Sequence, residues 1–353
     1  MEEKKEKINI HLYLMDRIVL VAILLFVVSV GSFIYYKKQY KLYFADTSYQ
    51  YDTTVVDSTP SGKFVTSIEY DKTYINDHIE TENDALNLII NESENQKKKC
   101  LDNKNKDIED RIQKKYKIAA VNLCELDHSF ALEIEKVIET IYNEYPGIGG
   151  YMSNLTLMNT PEANTNVASF EFAFLFSTSS RNRGYPWVVK NQIVLNSNYF
   201  LDNDNFENVI KNASRSGWFP KNAARKTIVA HEFGHYLSFV ALNRQYNTNE
   251  RFLIKKMNYS NYYNMISDYS SGKWAKSITD QAYENYNAKH PGKYDNEYEF
   301  RESISSYAVA VNGHGEFIYD ETIAEAFHDC YINGENAKDA SKEIIKVLGG
   351  YLK

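Results

Sequence analysis

The segment TIVAHEFGHYLSF sets two imidazoles four residues apart, at His231 and His235, with a carboxylate between them at Glu232. Residues four apart share one face of a helix about a turn from each other, so both rings can address a single ion. A zinc ion held there acidifies a water, and Glu232 beside it can take the proton that is released, which makes a nucleophile near neutral pH. A catalytic zinc needs three protein donors and one open position. The metzincin pattern would supply glycine at 238 and histidine at 241; the chain has Ser238 and Ala241, which excludes it. A carboxylate from a second helix is the alternative. The segment YDETIAEAFHD offers Glu321, with Glu325 one turn later on the same face.

These residues need elements to hold them. The motif falls on a stretch from about Ala223 to Leu242 in which Ile228, Val229, Phe233, Leu237 and Val240 form an apolar stripe, so a long amphipathic helix is predicted. Upstream, Asp127 is a natural N-cap for HSFALEIEKVIETIYNEY. There Phe130, Ile134, Val137, Ile138 and Ile141 recur at helical spacing before Pro146 and Gly147 stop the helix. Strand-like runs follow at Tyr151 to Met158, Ala168 to Phe176 and Trp187 to Val194, then a helical region around Ile210 and a turn at SGWFPKN. A helix, a small sheet and then ligand-bearing helices give an α+β class with a small mixed sheet.

At the other end of the chain, IVLVAILLFVVSVGSFIYY carries no charged residue over 18–36, long enough to cross the hydrocarbon layer as a helix. Charges at Arg17, Lys37 and Lys38 bound it, and Tyr35, Tyr36 and Tyr40 sit where interfacial aromatics belong. The bulky end of the run does not suit signal-peptide cleavage. The expected organisation is a tail at 1–17, a transmembrane helix at 18–36, a polar stalk or accessory region at 37–115 and the metal-binding domain at 116–353. A single-pass membrane protein with a short cytoplasmic tail and an extracytoplasmic domain follows, with the bilayer as one partner.

The remaining composition narrows the class. Acidic residues number 47 against 40 basic ones, interspersed, so no basic stripe exists to neutralise a phosphate backbone, and nucleic acid is not expected as a partner. Three cysteines with no C-x-x-C pair encode neither a dithiol redox motif nor a thiolate zinc site; in an exported domain Cys100 and Cys124 could pair. The 29 tyrosines cluster between Tyr246 and Tyr307; amphipathic rings of this kind suit either a peptide-binding surface or half-buried packing.

HEFGH followed far downstream by ETIAEAF resembles the gluzincin-type metallopeptidases of the anthrax lethal factor-like family, over roughly residues 115–353. The resemblance implies a zincin-like fold with His231, His235 and Glu321 as zinc ligands, Glu232 as general base and Glu325 as the acceptor that orients a ligating imidazole. It also places a tyrosine before the glutamate helix. In ISSYA this is Tyr307, implied to donate to the oxyanion of the tetrahedral intermediate. By the same resemblance, IVLNSNYF and SGWFP correspond to the strand and turn before the metal-binding helix, and that strand would be the edge on which an extended substrate pairs. One departure is the segment VNGHGEFIYD, which lengthens the gap between Tyr307 and Glu321. It contains His314, a rival ligand set between two glycines. His328, a turn beyond Glu325, reads as a surface histidine or a contact behind the ligands.

The function expected from this reading is zinc-dependent endopeptidase action on a peptide or protein substrate. Two alternatives stay open. One is a zinc-stabilised, membrane-anchored interaction or assembly component without turnover; the other is a hydrolase of cell-wall peptides by the same chemistry.

Overall fold

The computed structural model describes residues 102–158, 167–176, 186–201, 203–247 and 259–353, with a few isolated positions between 87 and 100. The expected membrane span at 18–36 and most of the region 37–115 lie outside them. Among the described residues no helix is long and apolar enough to cross a membrane.

The first helix, α1 (Lys106–Tyr116), falls at the end of the stretch read as polar stalk, yet it turns Ile108, Ile112 and Tyr116 into the core. Cys100 is joined to Cys124 by a disulfide, with Cα atoms 6.3 Å apart, a normal span for such a bridge. A three-residue strand β1 (Ala120–Asn122) leads to α2 (His128–Glu144), whose cap is the predicted one: the Asp127 carboxylate accepts from the backbone N–H groups of Ser129 and Phe130. Its apolar residues face inward from Phe130 to Tyr142, and the chain leaves it through a 3₁₀ turn at Pro146–Ile148.

Strands β2 (Asn154–Met158), β3 (Ala168–Phe176) and β4 (Pro186–Asn196) complete a four-stranded sheet in the order β1-β2-β4-β3. The first three neighbours run parallel and β3 runs antiparallel to β4, so the sheet is mixed, as expected. The placement of β4 differs from expectation. It pairs with β2 on one side and β3 on the other, so it is interior, and β3 is the outer strand beside it. The pairing of Ala168 through Phe176 along β4 consumes the edge that Ile193 and its neighbours would have offered.

A short helix α3 (Ser197–Phe200) and α4 (Asn203–Arg215) then carry the chain to α5 (Ile228–Asn247), which bears the HEFGH segment. The expected apolar stripe is not what α5 has: every residue from Thr227 to Asn243 is buried, on all sides. The sheet covers one side, with Phe170 of β3 against Tyr236 and Phe239, and α2 covers another through Tyr142 and Phe233. The C-terminal half holds α6 (Tyr259–Ser270), α7 (Lys273–Lys289), α8 (Glu297–Glu302), α9 (Tyr319–Asn333) and α10 (Asp339–Tyr351); α6, α9 and α10 pack on α5, and α7 reaches it through Trp274 Nε1, which donates to Ser238 Oγ. Here the domain is α+β, a small mixed sheet with ten α-helices among the described residues.

Candidate metal centre

Helices α5 and α9 lie antiparallel, and their side chains meet in successive rungs. Thr227 faces His328, His231 faces Glu325, and one turn on His231 and His235 both face Glu321. The crossing is close because Gly234 has no side chain: a Cβ there would stand 2.7 Å from Ala324 Cα and 3.1 Å from Phe327 Cβ. Small residues at this crossing let three donors from two backbones converge.

His231 Nε2 lies 3.2 Å from Glu321 Oε2, and His235 Nε2 lies 3.5 Å from the same oxygen. Neither approach has the alignment of a hydrogen bond, so both buried nitrogens lack such a partner in the protein. Two ligands at the zinc distance of about 2.1 Å and at the tetrahedral angle stand roughly 3.4 Å apart. The two observed separations match that edge, and the three donor atoms lie within 4.8 Å of one another. These buried His and Glu groups could hold a divalent metal ion.

The other face of His231 is braced. Its Nδ1 lies 2.8 Å from Glu325 Oε1, and Glu325 Oε2 accepts from Ser305 Oγ at 2.6 Å. With a metal bound, a proton held on Nδ1 by Glu325 would leave the His231 Nε2 lone pair free to face Glu321 and His235. His328 is not on the surface: it is fully buried, with Nδ1 3.4 Å from Glu325 Oε1 and Nε2 2.8 Å from Thr227 Oγ1. Helix α9 is enclosed on this side as well, so of the two places the sequence left open for His328, the surface or a contact behind the ligands, it takes the second.

Charge follows from this packing. Burial alone would lower the His231 pKa, but the Glu321 and Glu325 carboxylates outweigh it and hold the imidazole well above its ordinary value. Burial pushes the other way on Glu321, where His235 and His231 prevail and keep the carboxyl well below the usual carboxylate range. Glu325 is likewise held low, by His231 and His328 against burial. Burial lowers His328 and keeps it neutral. Glu232 stands apart. One of its oxygens is buried without a hydrogen-bond partner, and burial pushes its pKa up to about 7 despite the nearby imidazoles.

Tyr307 opens a 3₁₀ turn at Tyr307–Val309 and is buried, its ring stacked on His231 with centroids 5.8 Å apart at 25°. The SGWFP turn holds it: Ser306 N donates to Gly217 O at 2.9 Å, Tyr307 N donates to Trp218 O at 3.1 Å, and the Trp218 ring packs on the tyrosine. The extra segment between Tyr307 and Glu321 closes on itself through a bridge between Val311 and Phe317. It lifts His314 into solvent, outside the cluster.

Ser305 and Thr227 are contacts the sequence did not reveal, because a hydroxyl in a turn carries no spacing signal. No protein-family model, no curated protein and no solved structure matches the chain.

Proposed function

We propose that the protein is a zinc-dependent endopeptidase of the lethal factor-like kind, anchored to a membrane through residues 18–36. One observation carries the reading: three buried donors from two helices stand at tetrahedral spacing, and beside them is a buried carboxyl, Glu232, that belongs to no ion pair in the cluster. A structural metal site has no use for that fourth group.

Zinc, when bound by His231, His235 and Glu321, supplies Lewis acidity that acidifies water and polarises a carbonyl. Glu232 takes the proton from the attacking water and passes it to the nitrogen of the departing amine. Its carboxylate form, which a neighbouring divalent charge favours, is the one that accepts that first proton. Glu325, with Ser305 behind it, fixes the ring orientation of His231. Tyr307, stacked on His231, is the proposed donor to the oxyanion. The outer strand β3 is the proposed place for an extended substrate to pair, in place of β4.

The test is Glu232→Gln in the full chain, measured for zinc content and for cleavage of a diverse peptide pool. The expected outcome is one zinc per chain in both proteins and turnover lowered about 10²- to 10⁴-fold in the variant. Equal turnover would end the proposal. A wild-type chain that binds zinc and cuts nothing would point to the anchored assembly component instead.

A further inference from the structure

Among the described residues, the largest side chain buried completely is a charged one, Arg301 of α8. As a support for the core it is a poor choice. Its partner Glu297 stands 3.6 Å away without the alignment of a hydrogen bond, and Arg301 Nη1 and Glu297 Oε1 are both buried without a hydrogen-bond partner. Well-packed apolar side chains often fill such a place at no loss of stability. The other contacts of the guanidinium show what it does there.

Nη2 donates to Ala308 O at 3.1 Å and Nε donates to Thr322 Oγ1 at 3.0 Å, while the Thr322 hydroxyl donates to the same Ala308 O at 2.7 Å. Ala308 follows Tyr307 in its 3₁₀ turn, and Thr322 follows Glu321 in the first turn of α9. The fork therefore ties the backbone beside the proposed oxyanion donor to the helix turn that carries the proposed ligand. The amide side of Ala308 is held too: its N donates to Ser305 Oγ at 3.1 Å, and that hydroxyl donates onward to Glu325. The guanidinium carbon lies 4.1 Å from the centre of the Tyr319 ring and 4.7 Å from that of Phe317, contacts that add to its fixed orientation. A planar fork holds two acceptors in one set relation, which neither a lysine nor an apolar side chain can do.

We infer that Arg301 is a positioning residue for Tyr307: it locks the tyrosine turn onto the first turn of α9, and so sets where the phenol stands relative to the metal ligands. This rests on the endopeptidase reading above and on the oxyanion role given there to Tyr307. Arg301 acts through that tyrosine, and not through substrate affinity or metal retention.

The test is a double-mutant cycle in the full chain, with wild type, Arg301→Met, Tyr307→Phe and the two changes combined. Each is measured for zinc content and, per zinc-loaded chain, for kcat and KM on a cleaved peptide. A second readout needs no turnover: the NMR signal of the Tyr307 ring in metal-free protein with isotope-labelled tyrosine, assigned by its absence from Tyr307→Phe. Tyr307→Phe is expected to lower kcat about 10²- to 10³-fold, as loss of one oxyanion donor does. Arg301→Met should lower kcat about 10- to 100-fold, the scale of a displaced catalytic group, with KM and zinc content unchanged and the Tyr307 signal moved. In the combined variant the Arg301 change should cost nothing further, because the group it positions is already gone. Arg301→Lys keeps the charge and one donor, so its kcat should fall less; if Arg301→Met does not fold, Arg301→Lys takes its place in the cycle. Losses that multiply in the combined variant, a change in KM or zinc content in place of kcat, or an unmoved Tyr307 signal would overturn this role for Arg301 and leave the zinc reading intact. Undiminished turnover in Tyr307→Phe would remove the oxyanion role, and the role of Arg301 with it. A wild-type chain that cuts no peptide would remove the endopeptidase reading and this one together.

Discussion

Helices α2 and α5 are of similar length, 17 and 20 residues, and are built on opposite terms. On α2 one face buries Phe130, Ile134, Val137, Ile138 and Ile141, while Glu133, Glu139 and Lys136 remain at the surface or near it. On α5 no face is exposed from Ile228 to Asn243, and His231, Glu232, His235, Ser238 and Asn243 are as buried as the phenylalanines among them. A half-exposed helix can place its polar groups in water. An enclosed one must satisfy each of them with a neighbour or a ligand, or tolerate the cost. Buried polarity on α5 is thus a statement about chemistry, whereas exposed polarity on α2 says little.

The sharpest way to separate the two helices is to neutralise a carboxyl on each. Burial lifts the folded-state pKa of Glu232 to about 7, so the metal-free fold prefers it protonated. A raised carboxyl pKa contributes stability that is complete below the unfolded value near 4.5 and is lost as pH rises through about 7. Metal-free Glu232→Gln should therefore match wild type at about pH 4.5 and exceed it above pH 7 by on the order of 3 kcal/mol in chemical denaturation. Zinc should shrink the gap, since a divalent charge beside Glu232 favours its ionised form. Glu139 on α2 behaves in the opposite sense: its hydrogen bond with Lys115 holds it below the ordinary carboxylate range, so Glu139→Gln should give no gain at any pH. Identical pH profiles for wild type and Glu232→Gln would mean that α5 is less enclosed than described.

The second test is steric. Gly234→Ala gains helix propensity of about 1 kcal/mol, yet its Cβ would meet backbone, Ala324 Cα at 2.7 Å, which cannot swing aside as a side chain can. The helices must separate, and separation pulls Glu321 away from the imidazoles. A net loss of about 2 kcal/mol is expected from overpacking of this kind, together with a fall in zinc affinity of more than about tenfold, since ligand spacing changes with the crossing. On α2, Leu132→Ala at a position 42% exposed should change neither quantity appreciably.

How far each helix could be read from sequence follows the same division. The limits of α2 were legible because Asp127, the apolar period and Pro146 each have a local physical meaning. The HEFGH helix was legible through its ligands and its apolar stripe, but its enclosure was not, since the stripe implied a polar face that the fold covers. Glu321 and Glu325 were legible as one face of a second helix. The sheet order was not, because whether β4 is interior depends on where β3 returns, a non-local choice. Sequence left His328 undecided between surface and interior for the same reason: one of its partners, Thr227, lies a hundred residues away in the chain.

The smallest effect belongs to the cap of α2. Asp127 accepts from Ser129 N at 3.0 Å and from Phe130 N at 3.3 Å, and its hydrogen bond from the Ser129 hydroxyl, with the one from Phe130, lowers its pKa. Asp127→Ala should cost about 1 kcal/mol, as loss of a cap usually does. A lowered carboxylate pKa contributes stability that is present above the unfolded value near 3.8 and lost as pH falls through the folded one, so the charge-dependent share of this difference should fade in acid. Zinc affinity should not move, because α2 supports α5 through Tyr142 against Phe233 and that contact lies four turns from the cap. Zinc affinity that fell in step with the lost kilocalorie would show the metal centre drawing on the stability of the whole domain, and the separation between a helix that scaffolds and a helix that binds would lose its meaning.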